Sequence, residues 1–297
     1  MTTGRFAPSP TGRMHLGNVF SALLSWLSAK SKGGQWLLRI EDIDPARSRQ
    51  HYADMLMDDL QWLGLTWDGT PVYQSQRSDI YEHYASLLQQ QHLTYPCYCT
   101  RADLLATQAP HESDGRVVYA GTCRHLPPQP GRPAALRLMV PDEDITFTDG
   151  HYGTHTVNLA HHVGDFIIRR KDGAWAYQLA VVVDDALTGV SEVVRGSDLL
   201  LSSPQQIYMA RLLSFPSPQF IHLPLLCNTQ GQRLSKRDSS MDMGVLRQQH
   251  TAPDIIGLLA YSAGLQAEPQ PISPAALLPL FDWNKVPTAP IVVRQTM

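Results

Sequence analysis

Two short strings near opposite ends of the chain carry the residue types that hold phosphate: His15-Leu16-Gly17-Asn18 and Arg233-Leu234-Ser235-Lys236-Arg237. A histidine at a helix N-terminus donates to a phosphate oxygen where the helix dipole and backbone N–H groups also favour an anion. Gly17 removes a side chain where a nucleotide must come close to the backbone. Lys236 sits in a Gly- and Ser-bearing loop after an apolar strand, a placement suited to a mobile cation that meets phosphate. Ser235 adds a hydroxyl donor beside it. Each string is weak alone. No G-x-x-x-x-G-K-[ST] string accompanies them, so a P-loop kinase or GTPase is not supported.

Cys97-Tyr98-Cys99 and Cys123 form a third cluster, with the look of a structural zinc site. Tetrahedral zinc takes a fourth ligand, and Tyr119 and His125 are the local candidates. By chemistry alone His125 is the commoner ligand type; three unliganded thiols are the alternative. Cys227, after the apolar Leu225-Leu226, reads as an inert core residue. Four cysteines are too few for a disulfide framework.

The 297 residues, 43% hydrophobic, suffice for a substantial core in one large or two ordinary domains. There is neither a long apolar run nor a signal-peptide pattern, so the expectation is a cytoplasmic protein without a membrane partner. A net charge of −3, from 24 Lys plus Arg against 27 Asp plus Glu, argues against broad non-specific binding of nucleic acid. A nucleic-acid partner would need a local basic patch. Arg169-Arg170-Lys171 with Arg47, Arg49, Arg132 and Arg137 could supply one, though such runs are commonly solvated faces.

The elements that must position the two phosphate strings alternate in type. Gly4 to Ala7 ends a first strand, a Pro- and Gly-rich loop follows, and Val19, Phe20, Leu23, Leu24 and Leu27 mark a helix. His15 and Gly17 therefore fall at a strand-to-helix junction. Trp36 to Ile43 is a second strand, Ala46 to Leu63 a helix opened by Pro45 and closed by Gly64, and Arg77 to Gln91 another helix. From about Tyr95 a Pro-rich, Cys-bearing stretch breaks the pattern, with β-like runs at 135–140 and 165–169. Alternation resumes with elements at 175–184 and 192–195, a helix at 204–213 and a strand at 220–226. A short helix at 253–263 comes last. The fold class is α/β, a Rossmann-like parallel sheet with helical crossovers. The expected division is a discontinuous catalytic domain (1–92 and 175–238), an insertion (93–174) and a helical C-terminal subdomain (239–297).

Taken together and in this order, the two strings resemble the HIGH and KMSKS motifs of class I aminoacyl-tRNA synthetases. Arg5-Phe6-Ala7-Pro8-Ser9-Pro10-Thr11-Gly12, running into Met14-His15-Leu16-Gly17-Asn18, looks like the opening of a glutamyl-tRNA synthetase. Further matches are Arg39-Ile40-Glu41-Asp42-Ile43-Asp44, Asp184-Asp185-Ala186-Leu187-Thr188-Gly189-Val190 and Arg195-Gly196-Ser197-Asp198-Leu199-Leu200. Arg233 and Arg237 depart from the usual first Lys and last Ser of the second motif. A full glutamyl-tRNA synthetase carries a helical anticodon-binding region after that motif, and only about sixty residues follow here. The chain thus resembles a shortened family, the glutamyl-queuosine tRNA(Asp) synthetases, with no anticodon-binding domain expected.

That resemblance implies catalysis by His15 and Lys236, with ATP held by His15, Gly17, Asn18, Ser235 and Lys236 and accompanied by Mg2+. It places Arg5, Ala7 and Ser9 in an L-glutamate pocket, Glu41 on the substrate ammonium, and Tyr177 and Arg195 in the same contact set. Arg5 and Arg195 are the candidates for the second carboxylate of glutamate, which needs a bidentate cation. For Glu41, Asp42 and Asp44 the alternative is a solvated strand end, and for Tyr177 core packing. In the family pattern a Tyr replaces a fourth Cys or His at the structural Zn2+, and the resemblance therefore selects Tyr119. It further implies tRNA-independent formation of glutamyl-adenylate, then transfer of glutamate to the cyclopentene-diol of queuosine in tRNA(Asp), by a monomer. The alternatives are a minimal glutamyl-tRNA synthetase charging a tRNA 3′ end, and a non-catalytic tRNA-binding paralogue. Glutamine as substrate is disfavoured by the paired arginines.

Overall fold

The computed structural model describes residues 1–106, 118–234 and 241–293. In chain order it runs β1 (Thr3–Phe6), α1 (Leu16–Ser31), β2 (Gln35–Ile40), α2 (Gln50–Trp62), β3 (Val72–Tyr73) and α3 (Ser78–Gln90). Then come β4 (Thr94–Cys97), α4 (Arg101–Ala106), β5 (Ala135–Leu138), β6 (Asp144–Asp149), β7 (Gly153–Asn158), α5 (Leu159–His162) and β8 (Phe166–Arg169). The chain continues through α6 (Tyr177–Leu187), β9 (Glu192–Gly196), α7 (Ser202–Leu212), β10 (Gln219–Leu223) and β11 (Leu226–Cys227). It closes with α8 (Met243–Gln249), α9 (Ala252–Ser262), α10 (Pro274–Leu277) and β12 (Ile291–Val292).

The apolar spacing of α1 buries Leu16, Val19, Phe20, Leu23, Leu24 and Leu27 at 1% exposure or less. Around that helix β1, β2 and β3 pair in parallel, as do β9 and β10. The two groups meet at β1 and β9, where Ser191 N–H donates to the Thr3 carbonyl at 2.9 Å. The spatial succession is β3-β2-β1-β9-β10. Chain direction reverses its lateral progress between β1 and β9, and in such doubly wound sheets a crevice opens at the carboxyl ends of the strands flanking that switch. One core packs α1, β1 and β2 against α8 and α9, and a second lies among α3, α6, β8 and β10.

An antiparallel sheet β4-β5-β8 and the hairpin β6-β7 occupy the stretch between α3 and α6. Several boundaries differ from sequence expectation. The second helix starts at Gln50 rather than Ala46, because Asp44 organises a turn first: its Oδ1 accepts from Ala46 N at 3.2 Å and its carbonyl from Ser48 N at 2.9 Å. Arg49, extended at φ −138°, is the N-cap. The predicted closure holds, since Gly64 adopts φ +77° after the last turn. Thr94–Cys97 is a strand despite Pro96, with Pro96 opposite Leu136. The region after the second string is not helical throughout, because β12 pairs in parallel with β11, Ile291 opposite Leu226.

Candidate active site

The crevice at the β1/β9 switch is a cavity of about 480 Å³, and its lining includes Arg5, Ala7, Ser9, His15, Gly17, Asn18, Glu41, Tyr177 and Arg195. Nine positions scattered over nearly two hundred residues of sequence converge there. Ser235, Lys236 and Arg237 lie outside the described residues, but Arg233 and Leu234 line the same cavity.

His15 caps α1. Its Nδ1 accepts from Gly17 N at 3.1 Å, while Asn18 Oδ1 accepts from His15 N at 3.1 Å. With Nδ1 an acceptor, the proton of the neutral ring is on Nε2, which makes that nitrogen a donor. The glycine requirement has a second physical cause here: a Cβ on Gly17 would stand 2.9 Å from His15 Cε1. Gly17 thus admits the histidine ring as well as a ligand, and its N–H is spent on the cap in this conformation.

On the β1–β2 wall the charges are paired. Arg5 Nε and Arg39 Nη1 both donate to Asp185 Oδ1, at 3.3 and 2.5 Å, and Arg39 Nη2 donates to Glu41 at 3.2 Å. Asp184, on the same helix, accepts from Gln74 at 2.8 Å, Arg77 at 2.6 Å and Tyr81 at 2.8 Å. Burial would raise Asp185, but Arg39 and Arg5 outweigh it and hold the carboxyl below its ordinary value. Glu41 goes the other way, because burial exceeds the pull of Arg39 and Arg5 and pushes it up. Asp42 and Asp44 do not share this environment: Asp42 accepts from Ser75 N at 2.8 Å and Ser75 Oγ at 2.6 Å, and Asp44 pairs with Arg47 at 3.1 Å and Arg170 at 3.0 Å.

The β9 wall is built differently. Arg195 is 5% exposed and every hydrogen-bond partner it has is neutral. Its Nε donates to His222 Nε2 at 3.2 Å, Nη1 to Gln206 at 2.8 Å and Tyr177 Oη at 3.3 Å, and Nη2 to Ser203 at 2.8 Å and the Leu199 carbonyl at 3.4 Å. Burial lowers its pKa accordingly. The two longest of these bonds go to Tyr177 and Leu199, which both line the cavity. A carboxylate arriving there can take one N–H from each terminal nitrogen, the bidentate geometry that guanidinium favours.

Arg233 ties the second string to the cavity rim, its Nη1 donating to Asp198 at 2.5 Å. Asp198 follows Gly196, where a Cβ would meet its carboxylate oxygen at 2.6 Å.

Away from the cavity, the sulfurs of Cys97, Cys99 and Cys123 lie within 4.8 Å of one another. Tyr119 Oη is 3.4 Å from Cys97 Sγ and 3.8 Å from Cys99 Sγ, and it accepts from Cys123 N at 2.9 Å. His125 is exposed and is not in the cluster. Burial opposes ionisation of Cys97, but hydrogen bonds from Tyr119 and Arg137 bring its thiol down to about 7. Three convergent sulfurs, one readily ionised, fit the thiolate donors of zinc, with the Tyr119 oxygen beside two of them. Cys227 is buried beside β12, in keeping with a core residue, although the polar Asn228 follows it.

The basic residues are largely engaged. Arg169 pairs with Glu82 at 2.9 Å, Arg170 with Asp172 at 2.5 Å as well as Asp44, and Lys171 donates to the Tyr98 carbonyl at 2.7 Å. Arg137 does not face solvent at all: it is 6% exposed, 3.7 Å over the Tyr119 ring.

Sequence reasoning gave no role to Arg39, Asp149, Asp185, Ser203, Gln206 or His222. Asp185 and Arg39 stood within quoted strings. Asp149 and His222 had no local signal, being 73 residues apart and joined only by tertiary structure.

A family model described as tRNA synthetases class I (E and Q), catalytic domain, matches residues 1–261. The chain is 46% identical to the Glutamyl-Q tRNA(Asp) synthetase of Symbiobacterium thermophilum over 98% of this chain and 95% of that protein. It is 45% identical to the protein of that name from Neisseria meningitidis serogroup C, covering 97% of this chain and 98% of the relative. Among solved structures, a glutamate tRNA ligase from Elizabethkingia meningosepticum in complex with its amino acid superposes with a TM-score of 0.84 at 27% identity. That match covers 99% of this chain and 67% of the other. A glutamate-tRNA synthetase from Elizabethkingia anophelis gives a TM-score of 0.85, again at 27% identity, over 99% and 68%.

Proposed function

The chain belongs to the family of class I tRNA synthetases for E and Q, and from that premise we propose that it activates L-glutamate with ATP, without tRNA, and passes it to queuosine in tRNA(Asp). The observation that carries the amino-acid assignment is Arg195, a buried guanidinium with only neutral partners on the cavity wall. A substrate side-chain carboxylate supplies the missing counter-charge. The acceptor assignment is supported by relatives named Glutamyl-Q tRNA(Asp) synthetase that this chain spans at 95–98% of their length.

In the reaction, a carboxylate oxygen of glutamate attacks the α-phosphorus of ATP and pyrophosphate leaves. His15 Nε2–H and the Lys236 ammonium stabilise charge accumulating on the phosphates, and Asn18 and Gly17 shape the N-terminus of α1 beside them. Mg2+ accompanies the ATP phosphates and offsets their charge. Arg5 and Arg195 orient the substrate, Glu41 receives its ammonium, Ala7 and Ser9 line the pocket, and Tyr177 yields its bond to Arg195. A hydroxyl of the cyclopentene-diol then attacks the acyl carbon, forming the ester as the acyl–phosphate bond breaks, and AMP leaves with the hydroxyl proton passing to its phosphate or to water.

Cys97, Cys99, Cys123 and Tyr119 would hold a structural Zn2+ that cross-links β4 to the segment before β5. Cys97→Ser is expected to abolish metal retention on dialysis, read by elemental analysis, and unchanged zinc content rules the site out. The domains are assigned as 1–92 with 175–238, 93–174 and 239–297. A cytoplasmic monomer is the working form, and no described helix is long and apolar enough to cross a membrane.

The test is transfer of radiolabelled glutamate, with ATP and magnesium, to tRNA(Asp) with and without queuosine, the 3′ end being blocked in parallel samples. Label that survives 3′ blocking and requires queuosine is the expected result. Label lost on blocking, or appearing on tRNA(Glu), would establish a minimal glutamyl-tRNA synthetase instead.

A further inference from the structure

Arg195 and His222 are register partners on the parallel strands β9 and β10, so their side chains leave the sheet side by side. Arg195 Nε carries a hydrogen and has no lone pair to offer, so His222 Nε2, 3.2 Å away, must be the acceptor. That fixes the ring proton on Nδ1, which faces Asp149 Oδ2 at 2.6 Å. Asp149 is itself held, since it accepts from the backbone N–H groups of His151 at 2.9 Å, Tyr152 at 2.8 Å and His222 at 3.1 Å. All three side chains are buried, and Phe220 backs the guanidinium with its ring 5.0 Å away.

Asp149 ends β6, and Gly150 N–H donates to the Phe220 carbonyl at 2.8 Å. A Cβ on Gly150 would come within 2.8 Å of Ile221 Cγ1. The tip of the β6–β7 hairpin is therefore seated against β10 at the one point where its carboxylate can reach the histidine.

We propose that Asp149 and His222 are positioning residues: the hairpin carboxylate fixes the tautomer of His222, and His222 in turn holds Arg195 extended toward the cavity without neutralising it. A carboxylate in place of His222 would form a closed ion pair with Arg195 and compete with the substrate. A neutral acceptor orients the guanidinium and leaves its charge for the ligand. The inference rests on the glutamate-activating reading and adds to it the device that tunes amino-acid affinity.

The experiment is glutamate-dependent ATP–pyrophosphate exchange by the full chain and three variants, with KM for glutamate, KM for ATP and kcat measured separately. His222→Gln keeps an acceptor where Nε2 stands and loses the donor to Asp149. His222→Asn keeps a polar group at the Nδ1 position and loses the acceptor facing Arg195. His222→Leu removes both. His222→Leu and His222→Asn are expected to raise KM for glutamate roughly ten- to hundredfold, the effect of leaving a buried donor unpaired, with KM for ATP and kcat within about threefold of wild type. His222→Gln is expected to restore most of that loss. Should His222→Leu not fold, the contrast between Gln and Asn decides alone. An unchanged KM for glutamate in the Asn variant, an equal rise in both KM values, or no advantage of Gln over Asn overturns the relay while leaving the activation reading intact. Absence of glutamate-dependent exchange in the wild-type chain overturns that reading, and the relay with it.

Discussion

Arg5 and Arg195 enter one cavity from the two strands that flank the topological switch, but their surroundings differ in charge. Arg5 shares Asp185 with Arg39, so the β1–β2 wall meets its own cations with carboxylates. Arg195 is answered by an imidazole, an amide, two hydroxyls and a carbonyl. Buried charges are normally paired because desolvation is costly. On the proposed reading, the cations of the wall that obeys this rule are held in place by the protein itself, and the cation of the wall that departs from it keeps its charge for a ligand. The two walls together let the pocket be rigid before substrate arrives and still hold an excess positive charge.

The largest effect expected from this division is on folding. Asp185→Asn removes the carboxylate that Arg5 and Arg39 share, leaving Arg39 with Glu41 and the more distant Asp184, and breaking such a buried arrangement costs about 3–5 kcal/mol. Denaturant unfolding of the variant should show a loss of that size. Arg195→Met, which removes a charge whose hydrogen-bond partners are all neutral, should cost distinctly less by the same measurement. Equal losses would mean that both arginines are structural and would dissolve the distinction.

On activity the order reverses. Arg195→Met is expected to lower kcat/KM for glutamate in pyrophosphate exchange by about two to three orders of magnitude, since the substrate carboxylate is left buried and unpaired. Arg195→Lys should not recover it, because an ammonium cannot reproduce the two-pronged contact. A loss below tenfold in Arg195→Met would move the carboxylate site to Arg5.

These arginines were legible in the sequence because each sits in a contiguous string with its own local signature. The parallel sheet was legible for a similar reason, since α1, α3, α6 and α9 carry periodic apolar residues that report burial directly. What escaped was whatever depends on partners far apart in sequence. In the hairpin β6–β7 only Ile145 and Phe147 of β6 alternate with polar residues, too short a period to stand out, and β7 is mostly polar, its Thr156 hydroxyl meeting that of Thr146 at 2.9 Å on a solvent-facing side. Asp149 and His222 gain meaning only from that hairpin's docking. Pro45 looked like a helix start, but the Asp44 side chain captured the following N–H groups in a turn, a local competition that composition does not resolve. Tyr119 was chosen over His125 by resemblance against general ligand preference, and the reason is spatial: the Tyr119 hydroxyl, not the imidazole, stands among the sulfurs.

A smaller and sharper test lies inside the β1–β2 wall, where two carboxylates bound to one arginine have opposite pKa directions. Asp185 is held below its ordinary value, so its favourable contribution to stability is complete above that value and is lost as pH falls through the folded one. Glu41 is pushed above its ordinary value, so the folded chain binds its proton more tightly than the unfolded chain. Its contribution therefore worsens as pH rises from the ordinary Glu value through the folded one. The variants Asp185→Asn and Glu41→Gln should then show opposite slopes against wild type in denaturant unfolding across the acid range. Asp185→Asn falls further behind as pH rises toward the ordinary Asp value, while Glu41→Gln, which keeps an acceptor for Arg39, gains on wild type as pH rises past the ordinary Glu value. Parallel slopes would show that Glu41 is as well compensated as Asp185. If Glu41 receives the substrate ammonium as proposed, saturating glutamate should flatten the Glu41 slope and leave that of Asp185 in place.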